Sequence, residues 1–291
     1  MVLGGMEFID THVHLFYPEH FSYEWCAEVP VLNRAFRLED YRAAAAKAPA
    51  GTRIQSMIFM EADVPAVQQE AEAAFFSQLA GEDRGVPSLT AVIASAWPES
   101  ADFSAQLARY SRDPRVRGLR RVLHPMPDDL SQSPRFAENL RRLAGSGLTF
   151  DLCLRPHLIP AVTGLMARCP ATQFVLDHCG VPNIAGGELD PWRTDLRQLA
   201  AQPNVTCKFS GLASVCDPAR PMTPQVRPYF EHCLECFGPD RIMWGSDWPV
   251  CNLTFDLATW LQTTAELLGG LSGPERAAIA IGTAQRIYRL A

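Results

Sequence analysis

The chain has 291 residues, 47% of them hydrophobic, which is enough apolar material for one large core and suits a barrel of about 250 residues. A net charge of −6 with no Lys/Arg run excludes a basic footprint for nucleic acid or an anionic membrane surface, and points to a small-molecule partner. Met1–Gly5 starts no basic-then-apolar leader, and no apolar run approaches the ~18 residues that span a bilayer, so a cytoplasmic chain without membrane contact is expected.

Short apolar runs alternate with helical patterns along the chain. The runs that read as strands are Glu7–Leu15, Ile54–Ala62, Leu89–Trp97, Val116–Leu123, Leu148–Arg155, Gln173–Gly180, Asn204–Leu212 and Arg241–Pro249. Several are almost continuously apolar, as strands buried on both faces are. Helical spacing fills Leu38–Lys47, Pro65 to Leu79, Phe103–Arg112, Ser133 to Gly145 and Pro156–Arg168. It returns after Asp190-Pro191-Trp192, after Thr223-Pro224, over Phe255–Leu268, and from Ser272-Gly273-Pro274-Glu275 to Arg289. Proline in a first turn behind Ser, Thr or Asp is a start signal. Alternating β and α segments imply a parallel sheet with right-handed crossovers. Eight pairs close a (β/α)8 TIM barrel, expected as a single domain over residues 1–291. The rival, a doubly wound open sheet, lacks its Gly-rich phosphate turn after the first strand.

Nine cysteines, an odd number spread through strands and helices, read as reduced thiols. Cys233-x-x-Cys236 lies in an apolar helical pattern and is expected to be structural.

Barrel chemistry collects where strands end and βα loops begin. The first strand carries Asp10-Thr11-His12-Val13-His14; alternation sends His12 and His14 the same way, with Asp10 on their face. Two imidazoles at that spacing can hold one metal ion or one carbonyl oxygen. His178 closes the sixth apolar run before a Gly-Val-Pro turn. Asp247 ends the eighth run, where an unpaired carboxylate is costly to bury, and its neighbour across the closed barrel is the first strand. A carboxylate beside imidazoles suits a base that activates water. Trp248, next in sequence, is assigned to the substrate wall; Tyr23, Trp25 and Trp97 line the pocket or anchor loops.

Four segments occur in order: Asp10-Thr11-His12-Val13-His14, Leu176-Asp177-His178-Cys179-Gly180-Val181-Pro182, Lys208-Phe209-Ser210-Gly211-Leu212 and Phe237-Gly238-Pro239-Asp240-Arg241-Ile242-Met243-Trp244-Gly245-Ser246-Asp247-Trp248-Pro249. Together they resemble the amidohydrolase-related family of TIM-barrel hydrolases that includes the sugar-acid lactonases and the 2-pyrone-4,6-dicarboxylate lactonases. The likeness runs from the first strand through the eighth. It implies that Asp247 activates the hydrolytic water and that His12, His14 and His178 surround the carbonyl. Arg120 matches a Gly-x-Arg of the fourth strand, and Lys208 a strand-seven Lys; both are expected at substrate oxygens.

The binuclear members' strand-four Lys and strand-five metal His are missing, and His157 reads as a first helical residue. The resemblance therefore implies no metal or one divalent ion, zinc being the expected choice, on His12, His14, His178 and Asp247. Glu61 is either an extra ligand or a pocket carboxylate. The activity expected is hydrolysis of a small-molecule lactone, a sugar-acid lactone foremost; the alternative is a zinc-dependent decarboxylase of the aromatic-acid type, and a catalytically dead binding barrel is a further rival. A serine-nucleophile route has no Gly-x-Ser-x-Gly elbow, and Cys179, a strand neighbour of His178, points away from it. Oligomeric state stays open, a homo-oligomer included.

Overall fold

A computed structural model describes residues 5–290. Eight strands, β1 (Met6–Val13), β2 (Thr52–Met60), β3 (Ser88–Ser95), β4 (Val116–Val122), β5 (Thr149–Cys153), β6 (Phe174–Leu176), β7 (Val205–Phe209) and β8 (Ile242–Trp244), form one sheet in chain order, each parallel to the next. Helices follow them in turn: α1 (Leu38–Ala45), α2 (Gln69–Glu82), α3 (Phe103–Tyr110), α4 (Pro134–Arg141), α5 (Ile159–Arg168), α6 (Trp192–Ala200), α7 (Met222–Phe237) and α8 (Leu257–Leu268). The last segment reads α9 (Gly273–Ala277), a π-helical turn (Ala278–Gly282) and α10 (Thr283–Tyr288). Ser272 caps α9 with Glu275 closing a capping box, as its Ser-Gly-Pro-Glu sequence announces.

The sheet closes on itself where β8 meets β1. Val13 bridges Trp248 in parallel, Asp247 N donates to His12 O at 2.8 Å, and His14 N donates to Trp248 O at 2.8 Å. Thr11 Oγ1 adds a bond to Trp244 O at 2.6 Å. Ile9, Ile58, Met60, Ala91, Ile93, Val175 and Met243 fill the interior, and Ala284 and Tyr288 of α10 pack among them. The outer faces of the strands pack on the helices through large rings such as Phe59 on Phe76, stacked 3.5 Å apart, and Trp244 and Trp260. The barrel is thus a packed core, and its chemistry is confined to the C-terminal rim.

Two expected strands are shorter than the apolar pattern suggests. Strand β6 stops at Leu176, and Asp177–Gly180 is a tight turn in which His178 and Cys179 have φ of 55° and 53°. Strand β8 stops at Trp244, and Asp247 has φ of 61°. Left-handed backbone at non-glycine residues ends the pleat and costs of order 1 kcal/mol each. Both interruptions fall at candidate site residues. Among the described residues, no helix is long and apolar enough to cross a membrane.

Candidate active site

The first strand is not a regular pleat. Asp10 pairs with Met57 and Val13 with Phe59, so three steps on β1 match two on β2. This bulge lets Ile9 face the interior while His12 and His14 also face inward. Asp10 is thereby parted from the histidine face, a correction to simple alternation. Its carboxylate accepts from Tyr41 OH of α1 at 2.7 Å, from Ser246 N at 2.8 Å and from His12 N at 3.2 Å. Burial pushes its pKa up to about 6, against the pull of those hydrogen bonds. Asp10 therefore pins β1 to β8 and α1, and supports the histidines only through backbone.

All three histidines have the ring nitrogen nearer the backbone, Nδ1, engaged and present Nε2 to one point. His14 Nδ1 faces Met60 O at 3.1 Å, an acceptor only, so that nitrogen carries a proton. His12 Nδ1 lies 3.4 Å from Asp177 Oδ1, and His178 Nδ1 lies 2.9 Å from Ser210 Oγ. A Cβ at Gly211 would come within 2.4 Å of His178 Nδ1, so only glycine lets that loop support the ring, at φ of 67°. The Nε2 atoms of His12 and His14 are 3.2 Å apart, and Asp247 Oδ1 lies 3.6 and 3.5 Å from them. His178 Nε2 is 4.0 Å from the same oxygen. Burial holds His12 well below, and His178 below, the ordinary imidazole pKa, so both rings are neutral at pH 7.

Below this cluster lies a buried charge network that sequence reading saw only in part. Asp177 Oδ2 accepts from Arg120 Nε at 2.8 Å, and Asp177 Oδ1 lies 3.1 Å from Lys208 Nζ. Lys208 Nζ also donates to Asp151 Oδ2 at 2.8 Å and sits 3.4 Å from His12 Nδ1. Tyr288 OH donates to Asp151 Oδ2 at 2.5 Å from the C-terminal helix. Burial alone would raise Asp177, but Lys208, His12 and Arg120 outweigh it and hold its pKa well below the carboxylate range. Asp151 goes the other way, raised by burial against the pull of Lys208. The sequence alone assigns no role to Asp177, Asp151, Ser210 or Tyr288. The signal for one of them is in the sequence: Asp151, like Lys208, is a charge in the middle of an apolar strand, and each needs a partner.

Two expected roles change, and of the two readings of Glu61 the pocket carboxylate is the one that stands. Lys208 has no exposed side-chain surface and faces Asp151, Asp177 and His12, so it is a counter-ion and not a substrate contact. Trp248 turns its ring away from the histidines onto Phe36 and Tyr41, with centroids 5.3 and 5.4 Å away, because the left-handed turn at Asp247 ends the strand's alternation just before it. Glu61 has both oxygens committed, to Arg120 Nη1 and Asp63 N at 2.8 Å each, and stands outside the groups able to share an ion. Tyr23 and Trp25 pack on Phe16 as loop anchors, Trp97 lies beneath the Arg121 guanidinium, and His157 is exposed in a short turn, 3.1 Å from Asp128. Cys233 is buried, with its sulfur within 4.8 Å of those of Cys179 and Cys207; Cys236 is half-buried.

The donor set fits a divalent cation. Ligands about 2.0–2.1 Å from a tetrahedral zinc are about 3.4 Å apart, and the atoms of His12, His14 and Asp247 are spaced 3.2–3.6 Å. Two imidazole lone pairs and a carboxylate oxygen that close repel one another unless a proton or a cation lies between them. The engaged Nδ1 atoms are the orienting contacts of metal-ligating histidines.

A closed parallel barrel whose rim gathers three imidazoles and one carboxylate defines an enzyme with a hydrolase-type site. The chain belongs to the amidohydrolase family, whose profile matches residues 9–290. It is 34% identical to an L-fucono-1,5-lactonase of Burkholderia multivorans over 242 residues, 77% of this chain and 80% of that one. An L-fucono-1,5-lactonase of Burkholderia ambifaria is 34% identical over 197 residues, 66% of this chain and 68% of the relative. A crystal structure of a Burkholderia multivorans amidohydrolase with bound zinc aligns with a TM-score of 0.83 and 29% identity, over 98% of this chain and 99% of that chain.

Proposed function

We propose that this protein hydrolyses a lactone ring, with a sugar-acid lactone as the foremost substrate. The observation that carries the reading is the convergence of three histidine Nε2 atoms on Asp247 Oδ1 at 3.5 to 4.0 Å. The lactonase relatives support the reaction class.

Asp247 takes a proton from water, and the oxygen of that water attacks the lactone carbonyl carbon. Its carboxylate is held for this by the left-handed turn and the bond from its N–H to His12 O. With Ser210 donating to Nδ1, neutral His178 carries its proton on Nε2 and donates to the oxyanion that develops. The ring C–O bond then breaks, and Asp247 returns the proton to the leaving alkoxide, giving an open hydroxy acid. A divalent cation, zinc foremost, held by His12, His14 and Asp247 would supply Lewis-acid polarisation of the bound oxygen. Of the Arg120 guanidinium, Nε and Nη1 are committed to Asp177 and Glu61, leaving Nη2 for a substrate oxygen.

A pH-indicator screen of aldono-lactones, with and without chelator, tests the reading directly. Acid release that drops about 10²–10⁴-fold in Asp247→Asn, with an unchanged circular dichroism spectrum, is the expected result. Wild-type rates in that variant, or carbon dioxide release from aromatic acids in place of lactone opening, would overturn it.

A further inference from the structure

Three thiols meet on the far side of the barrel wall from the charge network. Cys179 stands in the left-handed turn after β6, Cys207 in β7 and Cys233 in α7, and all three are buried. Their sulfurs lie within 4.8 Å of one another. Alternation along β7 accounts for the first of them. Lys208 turns inward to Asp151 and Asp177, so Cys207 turns outward with Phe209, whose ring packs 4.9 Å from that of Phe230 on α7. Cys233 follows Phe230 by three residues and so shares its face of the helix. Cys179 is brought to the same place by its φ of 53° and by Trp192 Nε1, which donates to Cys179 O at 2.7 Å.

The cluster is arranged as a ligand set. Sulfurs about 2.3 Å from a shared ion stand about 4 Å apart, within the spacing seen here. Burial pushes the Cys207 thiol up, but hydrogen bonds from the Cys179 and Cys233 side chains and from the Cys179 backbone N–H outweigh it and hold its pKa below the ordinary thiol range. A backbone N–H aimed at a sulfur favours the thiolate, the form that binds metal. Among the described residues no fourth histidine, cysteine or carboxylate joins the three, and the sulfurs are embedded in the apolar core. Structural zinc takes four ligands, whereas Cu(I) is stable with fewer and prefers sulfur.

From this geometry we propose that Cys179, Cys207 and Cys233 form a three-coordinate site for a soft monovalent ion, Cu(I), separate from the histidine site. The ion replaces the thiol protons, which pass to solvent. The two sites divide by ligand chemistry: imidazoles and a carboxylate suit zinc, and an all-sulfur set without a fourth ligand suits Cu(I). Cys236 takes no part, because its sulfur turns to His232 Nε2 at 3.3 Å.

In the test, reduced protein is preloaded with an equivalent of zinc under nitrogen and then equilibrated with the Cu(I) complex of bathocuproine disulfonate. The wild type should withdraw one copper per chain and develop the ultraviolet absorption of a copper thiolate, slowly, because the sulfurs are buried. Cys233→Ser should weaken copper retention at least about 10- to 100-fold, while Cys236→Ser leaves it unchanged. X-ray absorption at the copper edge of the loaded wild type should show sulfur neighbours alone, a result that needs no variant to fold. The inference is overturned if no copper is withdrawn or if Cys233→Ser retains it as the wild type does. Nitrogen in the copper's shell, which would put the ion on the histidines, overturns it too.

Discussion

Replacing Lys208 with methionine tests the buried network most directly. Methionine keeps most of the side chain's length and apolar stem while deleting the ammonium that lies 2.8 Å from Asp151 and 3.1 Å from Asp177. All three side chains are fully buried. Removing one partner of a buried ion pair costs about 3–5 kcal/mol, because the remaining charge has no solvent to return to. For a chain of this size that corresponds to a fall in Tm of about 6 °C or more. The pH dependence fixes the sign. In the wild type, Asp177 has a depressed pKa, so its contribution is present above the unfolded carboxylate pKa and is lost as the pH falls through the depressed value. In Lys208→Met, burial acts on Asp177 and Asp151 without the cation, and both carboxyls move up. A raised folded pKa favours folding in acid, so the variant's deficit is largest near pH 8 and shrinks toward pH 5. Urea unfolding of both proteins at the two pH values measures it. Asp151→Asn added to Lys208→Met should recover part of the loss, since removing both partners is less costly than removing one. A deficit below about 1 kcal/mol at pH 8, with KM raised instead, would show that Lys208 serves substrate and not Asp151 and Asp177.

Tyr288→Phe removes the donor 2.5 Å from Asp151 and should cost about 1–3 kcal/mol by the same unfolding assay, with no new cavity to share the blame. Zinc titration after dialysis against chelator should give one site per chain, and His14→Ala should abolish it while His157→Ala, exposed on the rim turn, leaves it intact. A thiol reagent should label the native protein slowly at all but half-buried Cys236, because the other eight thiols are buried; all nine cysteines should react at once in denaturant.

The barrel is legible because eight short strand-like runs, several of them near-continuously apolar, alternate with helical segments that carry proline and hydroxyl start signals. The site was legible as residue types at strand ends: His12, His14, His178 and Asp247 do meet, over a separation of more than two hundred residues. Face was the part that failed. Alternation is a sound rule only while the pleat continues, and here it stops at the positions that matter. The bulge after Asp10 takes that carboxylate to Tyr41 and Ser246. Left-handed turns at His178 and Asp247 turn those side chains inward independently of their strands' parity. Such turns give a hydrolase rim what a regular strand cannot, three imidazoles and a carboxylate at one height above a sealed core.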